Sequence, residues 1–334
     1  MSGRLEPRPG AAYARILGVG GYRPSRVVTN AEIIEHIDSS DEWIRERSGI
    51  VTRHFAAPDE GVVEMSVAAS EKAIAASGVS VDQIDAVIVG TVTHLTQTPS
   101  AAAELAFRLG TNEPAAFDIS AACAGFSYGL SLAQDMIRGG SAHHVLVVGV
   151  EKLSDMVNPN DRSIAFIFGD GAGAVVVGPS DEPAIGPVVW GSDGAQADAI
   201  MQDVFWTTLR DEPGHAFPSL QMSGQQVFRW AVFEMSKVAQ QALDAAGITV
   251  DQLDAFIPHQ ANMRITDAMI KQLSLPSSVS VARDIAETGN TSAASIPLAM
   301  ARMLETGQAK SGDLALLIGF GAGLVYSAQV VVLP

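Results

Sequence analysis

Residues Ser77–Thr91 read SGVSVDQIDAVIVGT, and residues Ala246–Gln260 read AGITVDQLDAFIPHQ. Gly78, Asp82, Gln83, Asp85 and Ala86 recur without a gap as Gly247, Asp251, Gln252, Asp254 and Ala255. Each copy closes a helical stretch at a glycine, crosses a Val-Asp-Gln turn and enters a short apolar run that reads as a strand. The preceding segments, MSVAASEKAIAAS and RWAVFEMSKVAQQALDAA, space their apolar residues as amphipathic helices do. A second echo follows. SAACAGFSYGLSLAQDMIRGG…VLVVGV and SAASIPLAMARMLETG…LALLIGF share a small-residue helix start, a helix, a glycine stop and an apolar strand. Two echoes at a common offset of roughly 170 residues predict an α/β unit built twice, not a solenoid of short repeats. The halves are placed at 1–180 and 181–334, divided near Gly178–Pro187 (GPSDEPAIGP). Runs such as VLVVG and AVVVG are apolar throughout, as strands covered on both faces are.

A chain of 334 residues exceeds the size at which one core stops growing, which agrees with two halves. Its net charge of −16 argues against nucleic acid or an anionic membrane surface as partner. The start, MSGRLEPRPGAAYARILGVGG, has no apolar core of a secretion signal, so a cytoplasmic location is expected. The end, ALLIGFGAGLVYSAQVVVLP, has the length of a membrane helix, but its Gly-Phe-Gly-Ala-Gly interruption favours two buried strands around a turn. FGDGAGAVVVG lacks the Lys-Ser/Thr of a phosphate loop and leads into a strand, so it reads as a tight turn.

There is one cysteine, Cys123 in SAACAGFSYGL, which rules out an internal disulfide framework. A lone thiol among alanines is most often a small buried hydrophobe. The repeat gives another reading. It puts Cys123 at a helix start, in the place the second half gives to Ser295, where unpaired N–H groups and the helix dipole favour a thiolate. A nucleophilic cysteine needs a histidine. His143-His144 read as a solvated pair with no third metal ligand, His36, His54 and His215 as ordinary polar groups, and His94 as lacking a motif. His259, in AFIPHQANMRI, ends an apolar strand, where α/β folds place their sites. Asn290, in ETGNTSAASIP, precedes the helix that echoes the Cys123 helix; alone it would be a turn or cap residue.

DISAACAGF, PHQAN and GNTSAAS, in that order, resemble the active-site motifs of β-ketoacyl-acyl-carrier-protein synthase III, a thiolase-fold condensing enzyme family. The resemblance spans the chain, from VVTNAEI…IDSSDEWIRERSGI to GFGAGLVYSA. It implies an α/β thiolase-like fold, two duplicated halves in five α-β-α-β-α layers. It implies Cys123 as the acylated nucleophile, His259 and Asn290 as its partners, and the backbone N–H groups of Cys123 and Ala322 as oxyanion hole. It also implies Trp43 and Arg162 on either side of a CoA adenine, and Arg47, Arg229, Asn262 and Arg264 along the CoA and pantetheine channel. The reaction would be a decarboxylating Claisen condensation of an acyl-CoA primer with malonyl-acyl carrier protein, needing no metal or redox cofactor.

Acyl carrier protein is acidic, as is this chain, so docking would use a local basic face at Arg229, Arg264 and Lys271, weakened where Gln272 replaces a lysine found in some relatives. Acetyl-preferring relatives carry Phe where this sequence has Thr98, so a primer larger than acetyl is expected. The Thr98 segment would reach the partner's pocket in a homodimer. Alternatives on chemistry are a polyketide-priming ketosynthase or acyltransferase of the same fold, a noncatalytic acyl-binding scaffold, and a papain-like thiol hydrolase. The duplicated pattern, the absence of disulfides and the lack of a Trp after the nucleophile oppose the hydrolase.

Overall fold

The computed structural model describes residues 8–212, 214 and 216–334; His215 lies outside the described residues. One sheet contains β1 (Tyr13–Tyr22), β2 (Ala86–Gly90), β3 (Ala115–Ile119), β4 (Val145–Glu151) and β5 (Gly171–Ser180), in the order β1-β5-β4-β2-β3. The other contains β6 (Val189–Ser192), β7 (Ala255–Pro258), β8 (Ser280–Val281), β9 (Leu314–Gly321) and β10 (Val325–Val332), in the order β6-β10-β9-β7-β8. The two orders are the same order. So are the directions: β2 runs parallel to β3 and β4 as β7 does to β8 and β9, and the remaining pairs are antiparallel in both sheets.

The repeated segment explains itself in atoms. Gly78 and Gly247 end α2 (Val62–Ser77) and α5 (Gly224–Ala246) with φ of 69° and 70°, the left-handed cap that glycine adopts without a Cβ penalty. Each Val-Asp-Gln is a single 3-10 turn closed by its glutamine, whose Oε1 accepts the N–H of Ser80 in the first copy and of Thr249 in the second. Asp85 then accepts the backbone N–H groups of His143 and His144, and Asp254 accepts that of Leu314, so each aspartate fastens its strand to its neighbour.

Alternation along the strands sorts side chains between layers. Ile88 and Val147 on one sheet, Ile257 and Leu317 on the other, share a central core with Leu130 of α4 (Gly125–Arg138) and Met300 of α7 (Ser295–Glu305). Val89 and Val148 face outward onto α2 and α3 (Ala101–Leu109), while Phe256 and Leu316 face α5 and α6 (Met263–Gln272). The result is five layers, α-β-α-β-α, with α4 and α7 as the middle one. The C-terminal apolar run forms two buried strands around a turn. Among the described residues no helix is long and apolar enough to cross a membrane.

The duplication corrects one expectation. A one-turn 3-10 segment precedes each middle helix, Ala122–Ala124 before α4 and Ser292–Ala294 before α7. The first residue of each has φ in the left-handed region, 44° at Ala122 and 49° at Ser292. Cys123 therefore corresponds to Ala293, and Ser295 to Gly125; the extra 3-10 turn was not legible in the pattern.

Candidate active site

The carboxyl ends of β7 and β9 and the two 3-10 turns meet at one cavity of about 750 Å³, lined by Cys123, His259, Asn290, Phe320 and Ala322 among others. The two halves meet here through glycines. A methyl on Gly321 would lie 2.8 Å from Cys123 N and Cβ, and one on Gly149 would lie 2.1 Å from the Ala293 carbonyl oxygen. Each turn thus seats against the strand of the opposite half, and a Cβ at either glycine would force the turn to shift.

Cys123 is half-buried. Burial, with a smaller push from the neighbouring Glu151, holds its thiol up at about 12 against the lowering effect of the Ser292 hydroxyl and the Cys123 backbone. The expected thiolate at a helix start is therefore offset by desolvation: with no substrate bound the sulfur holds its proton at neutral pH.

His259 closes β7, its N–H bonded to the Ile318 carbonyl at 2.7 Å. Its ring is buried against Phe320, centroids 5.2 Å apart, and burial brings its pKa down to about 3. The ring is neutral. Nδ1 lies 2.7 Å from Ser295 Oγ, and the Gln260 N–H donates to that same oxygen at 3.3 Å. A hydroxyl that accepts the Gln260 N–H can still donate its own proton to Nδ1, and in that arrangement the ring accepts there. Nε2 then carries the ring proton and acts as a donor.

Asn290 follows Gly289, whose φ of 65° brings the chain against Ile167. Asn290 N–H donates to the Ile167 carbonyl, and its own carbonyl accepts from Gly169 N–H. Oδ1 accepts the Ser292 N–H at 2.8 Å, which leaves Nδ2 as the donor end of the amide. One thiol and two neutral donors from opposite halves thus share a cavity suited to acyl transfer with a developing oxyanion.

Family models for the 3-oxoacyl-[acyl-carrier-protein] synthase III C-terminal region and for 3-oxoacyl-[acyl-carrier-protein] synthase III match residues 243–333 and 117–194. The chain is 66% identical over 331 residues to beta-ketoacyl-[acyl-carrier-protein] synthase III of Streptomyces glaucescens, covering 99% of each. It belongs to the β-ketoacyl-acyl-carrier-protein synthase III family. It is therefore an acyltransferase-type condensing enzyme on a thiolase-like fold. A mycobacterial synthase III from Mycobacterium marinum is 57% identical over 325 residues, 97% of each chain. Among solved structures, the priming β-ketosynthase of the R1128 polyketide pathway superposes with a TM-score of 0.96 at 46% identity, covering 100% of this chain and 99% of that one. The synthase III of Aquifex aeolicus VF5 gives 0.88 at 37%, with 96% and 99% covered.

In this synthase III chain the cavity is lined in part by residues of α6 and of α1 (Asp41–Ser48), which Ser40 caps through the Trp43 N–H. Trp43, Arg47, Arg229, Asn262 and Arg264 all line the cavity. The Arg162 guanidinium lies 5.1 Å from the Trp43 ring centroid and that of Arg47 5.6 Å. Trp43 and Arg162 are already stacked on each other, so an adenine between them must displace the arginine. Asn262 is a clamp: Oδ1 caps α6 through the Arg264 N–H, and Nδ2 donates to the Arg47 carbonyl, tying α6 to α1 at 3.0 Å in each case. Arg264 packs over Phe228, and Lys271 follows on the same helix seven residues on, two turns away on the same face.

Thr98 is exposed and absent from the lining of this chain's own cavity. Of the other histidines, His54 Nδ1 bonds the Pro24 carbonyl and His144 Nδ1 the Gln83 carbonyl. No group of three His, Cys, Asp or Glu side chains is placed to hold a metal ion among the described residues. Sequence reasoning missed Ser292, Ser295, Gly321 and Glu151. Glu151 had a legible signal, an acid ending the apolar run VLVVGVE at a strand's carboxyl end.

Proposed function

We propose that this synthase III chain performs the initiating condensation of fatty acid biosynthesis: acyl-CoA plus malonyl-acyl carrier protein give β-ketoacyl-acyl carrier protein, CO2 and CoA. Residues 1–180 supply the nucleophile, and 181–334 supply His259 and Asn290. The observation that carries this reading is the meeting of Cys123, a neutral His259 and Asn290 at one cavity. Cys123 Sγ attacks the primer thioester, and the backbone N–H groups of Cys123 and Ala322 hold the tetrahedral oxyanion, worth about 3 kcal/mol per donor. CoA leaves. The malonyl group then loses CO2, and its enolate oxygen takes hydrogen bonds from His259 Nε2–H and Asn290 Nδ2–H. A histidine that stays neutral is a poor general base and a good donor, which is what decarboxylation requires. The enolate carbon attacks the acyl-Cys carbonyl and releases the Cys123 thiolate, which takes a proton from solvent to return to the thiol.

The chain needs no metal or redox cofactor in this scheme. Trp43, Arg47, Arg162, Arg229, Asn262 and Arg264 hold the CoA thioester, and Arg229, Arg264 and Lys271 form the basic docking face for acyl carrier protein. The enzyme works in the cytoplasm as a homodimer in which Thr98 of each subunit opens the partner's acyl pocket to branched or longer primers. The high TM-score to a priming ketosynthase supports a second reading, priming of a polyketide chain by the same chemistry. The test is intact-protein mass after incubation with acetyl-, isobutyryl- and longer acyl-CoA. The expected result is one acyl adduct on wild type, strongest with the larger primers, and a stable oxyester or nothing on Cys123→Ser. Absence of any adduct would return Cys123 to a packing role, and strict acetyl preference would remove the Thr98 argument.

A further inference from the structure

The proposed reaction leaves one proton without an acceptor. Cys123 holds its thiol proton at neutral pH, and His259 stays neutral with its Nδ1 bonded to Ser295, so neither ring nitrogen is set to receive it. Glu151, at the end of β4, has no exposed surface and forms no salt bridge among the described residues. Its Oε2 accepts from Thr93 Oγ1 at 2.7 Å and from Thr91 Oγ1 and the Val92 N–H at 3.1 Å each. Its Oε1 accepts from a single group, Ser292 Oγ, at 3.1 Å. Ser292 lines the cavity, and its hydroxyl also interacts with the Cys123 thiol. The backbone at Ser292 holds a left-handed φ of 49°, a conformation that costs a serine free energy and is kept where the surroundings enforce it. Lys152, next in the chain, turns away and donates Nζ to the Ala57 carbonyl, and the titratable group facing Glu151 is Cys123.

We infer that Ser292 and Glu151 form a buried relay that removes the Cys123 thiol proton as the primer is loaded. This rests on Cys123 being the acyl acceptor. As Sγ bonds to the primer carbonyl carbon, the S–H bond breaks and its proton passes to Ser292 Oγ. The hydroxyl proton of Ser292 passes to Glu151 Oε1. The site keeps one negative charge, moved from Glu151 to the tetrahedral oxyanion. When that intermediate collapses, the proton returns along the same path to the departing CoA sulfur, and Glu151 is again a carboxylate. Burial raises the Glu151 carboxyl to about 7, so it is basic enough to take a proton and acidic enough to give it back near neutrality. Ser292 shares the cavity wall with the reacting sulfur, and Glu151 acts through it.

Two rates separate this from a merely electrostatic neighbour: acylation by isobutyryl-CoA, followed by quenched-flow intact mass, and alkylation of Cys123 by iodoacetamide, each measured against pH. Wild-type acylation should rise with pH through about 7. Glu151→Gln and Ser292→Ala should each slow it by about 100-fold and lose that limb, with Glu151→Asp recovering part of it. Alkylation should slow in the same variants. If Glu151 only repels the thiolate, Glu151→Gln accelerates both rates, and that result overturns the relay. Should Glu151→Gln not fold, Ser292→Ala carries the test, and an unchanged pH limb in it overturns the relay equally. A wild type that takes no acyl group but still shows the alkylation limb would remove the acyl-transfer reading and the relay's loading role with it, while leaving the proton path from Cys123 to Glu151 supported.

Discussion

Ala122 and Ser292 hold the same left-handed backbone before the same middle helix of their respective halves, yet the turns they open differ at their first two residues. The first presents Cys123; the second puts Ala293 in that place and presents a hydroxyl and, through Asn290, an amide. The strands that receive the turns have diverged too. Gly321 at the end of β9 leaves space beside Cys123, while its counterpart at the end of β4 is Glu151, a carboxylate that fills the matching place. One scaffold was therefore used twice, once to bring a thiol to the cavity and once to line it with a hydroxyl and an amide. Duplication conserved the backbone geometry, and single side chains at equivalent places divided the chemistry.

The hardest test of that division is to move the nucleophile. Cys123→Ala should reduce condensation at least about a thousandfold, and adding Ala293→Cys should restore nothing, because that position packs against Gly149 with 1% exposure. Steady-state turnover of both variants measures it, and recovery in the double variant would show the halves to be interchangeable. His259→Ala should lower decarboxylation of malonyl thioester by about 100-fold while leaving acyl-adduct formation nearly intact, since it removes a donor and not the nucleophile. CO2 release against adduct mass separates the two, and equal loss of both would assign His259 to loading as well.

A smaller effect comes from the seat. Gly321→Ala should fold, lose about 1–3 kcal/mol of stability and slow acylation, because its methyl lies 3.0 Å from Cys123 Sγ. Thermal melts and adduct kinetics read this, and wild-type kinetics would show that the turn can retreat. Ser295→Ala frees Nδ1 of His259 to carry the proton and should cost about tenfold in decarboxylation with loading unchanged.

The smallest effects are in stability against pH. His259 takes up no proton in the fold until about 3, whereas the unfolded chain protonates it near 6.5. The unfolded state therefore binds more protons between those values, and acid erodes stability across that window. Glu151 has the opposite sign: its folded pKa of about 7 exceeds its ordinary 4.5, so its contribution is lost as pH rises through 7. Urea midpoints of His259→Gln and Glu151→Gln should change the slope of the profile in opposite directions, and parallel profiles would contradict the assignment.

Much of this architecture was legible because the repeat carries its own punctuation. Gly78 and Gly247 must take positive φ, Asp85 and Asp254 must fasten a strand, and those demands fix residue types at fixed places. That Cys123, His259 and Asn290 belong together at one cavity was legible because each stands at a strand end or helix start of a matched pair. What escaped was geometry without a compositional mark. The 3-10 turn before each middle helix shifted the match from Ser295 to Ala293, since a left-handed Ala122 or Ser292 looks like any other small residue. The state of the thiol escaped for a different reason: helix-start electrostatics follow from sequence, whereas desolvation depends on what the other half places on top. Asn262 was expected as a channel residue, and its amide turned out to be committed to the α6 cap and the Arg47 carbonyl.

The crossed seating of the turns also makes the chain separable in principle. Each half contains its own complete sheet, and the connection between β5 and β6 is exposed at Asp181 and Glu182. Yet the groove that accepts the nucleophile's turn is a glycine on the other piece. Two fragments cut at that connection would each be inert, and mixing them would regenerate the enzyme only when the middle layer docks. Turnover would then report assembly, which makes the fold a natural frame for a split sensor whose signal is carbon–carbon bond formation.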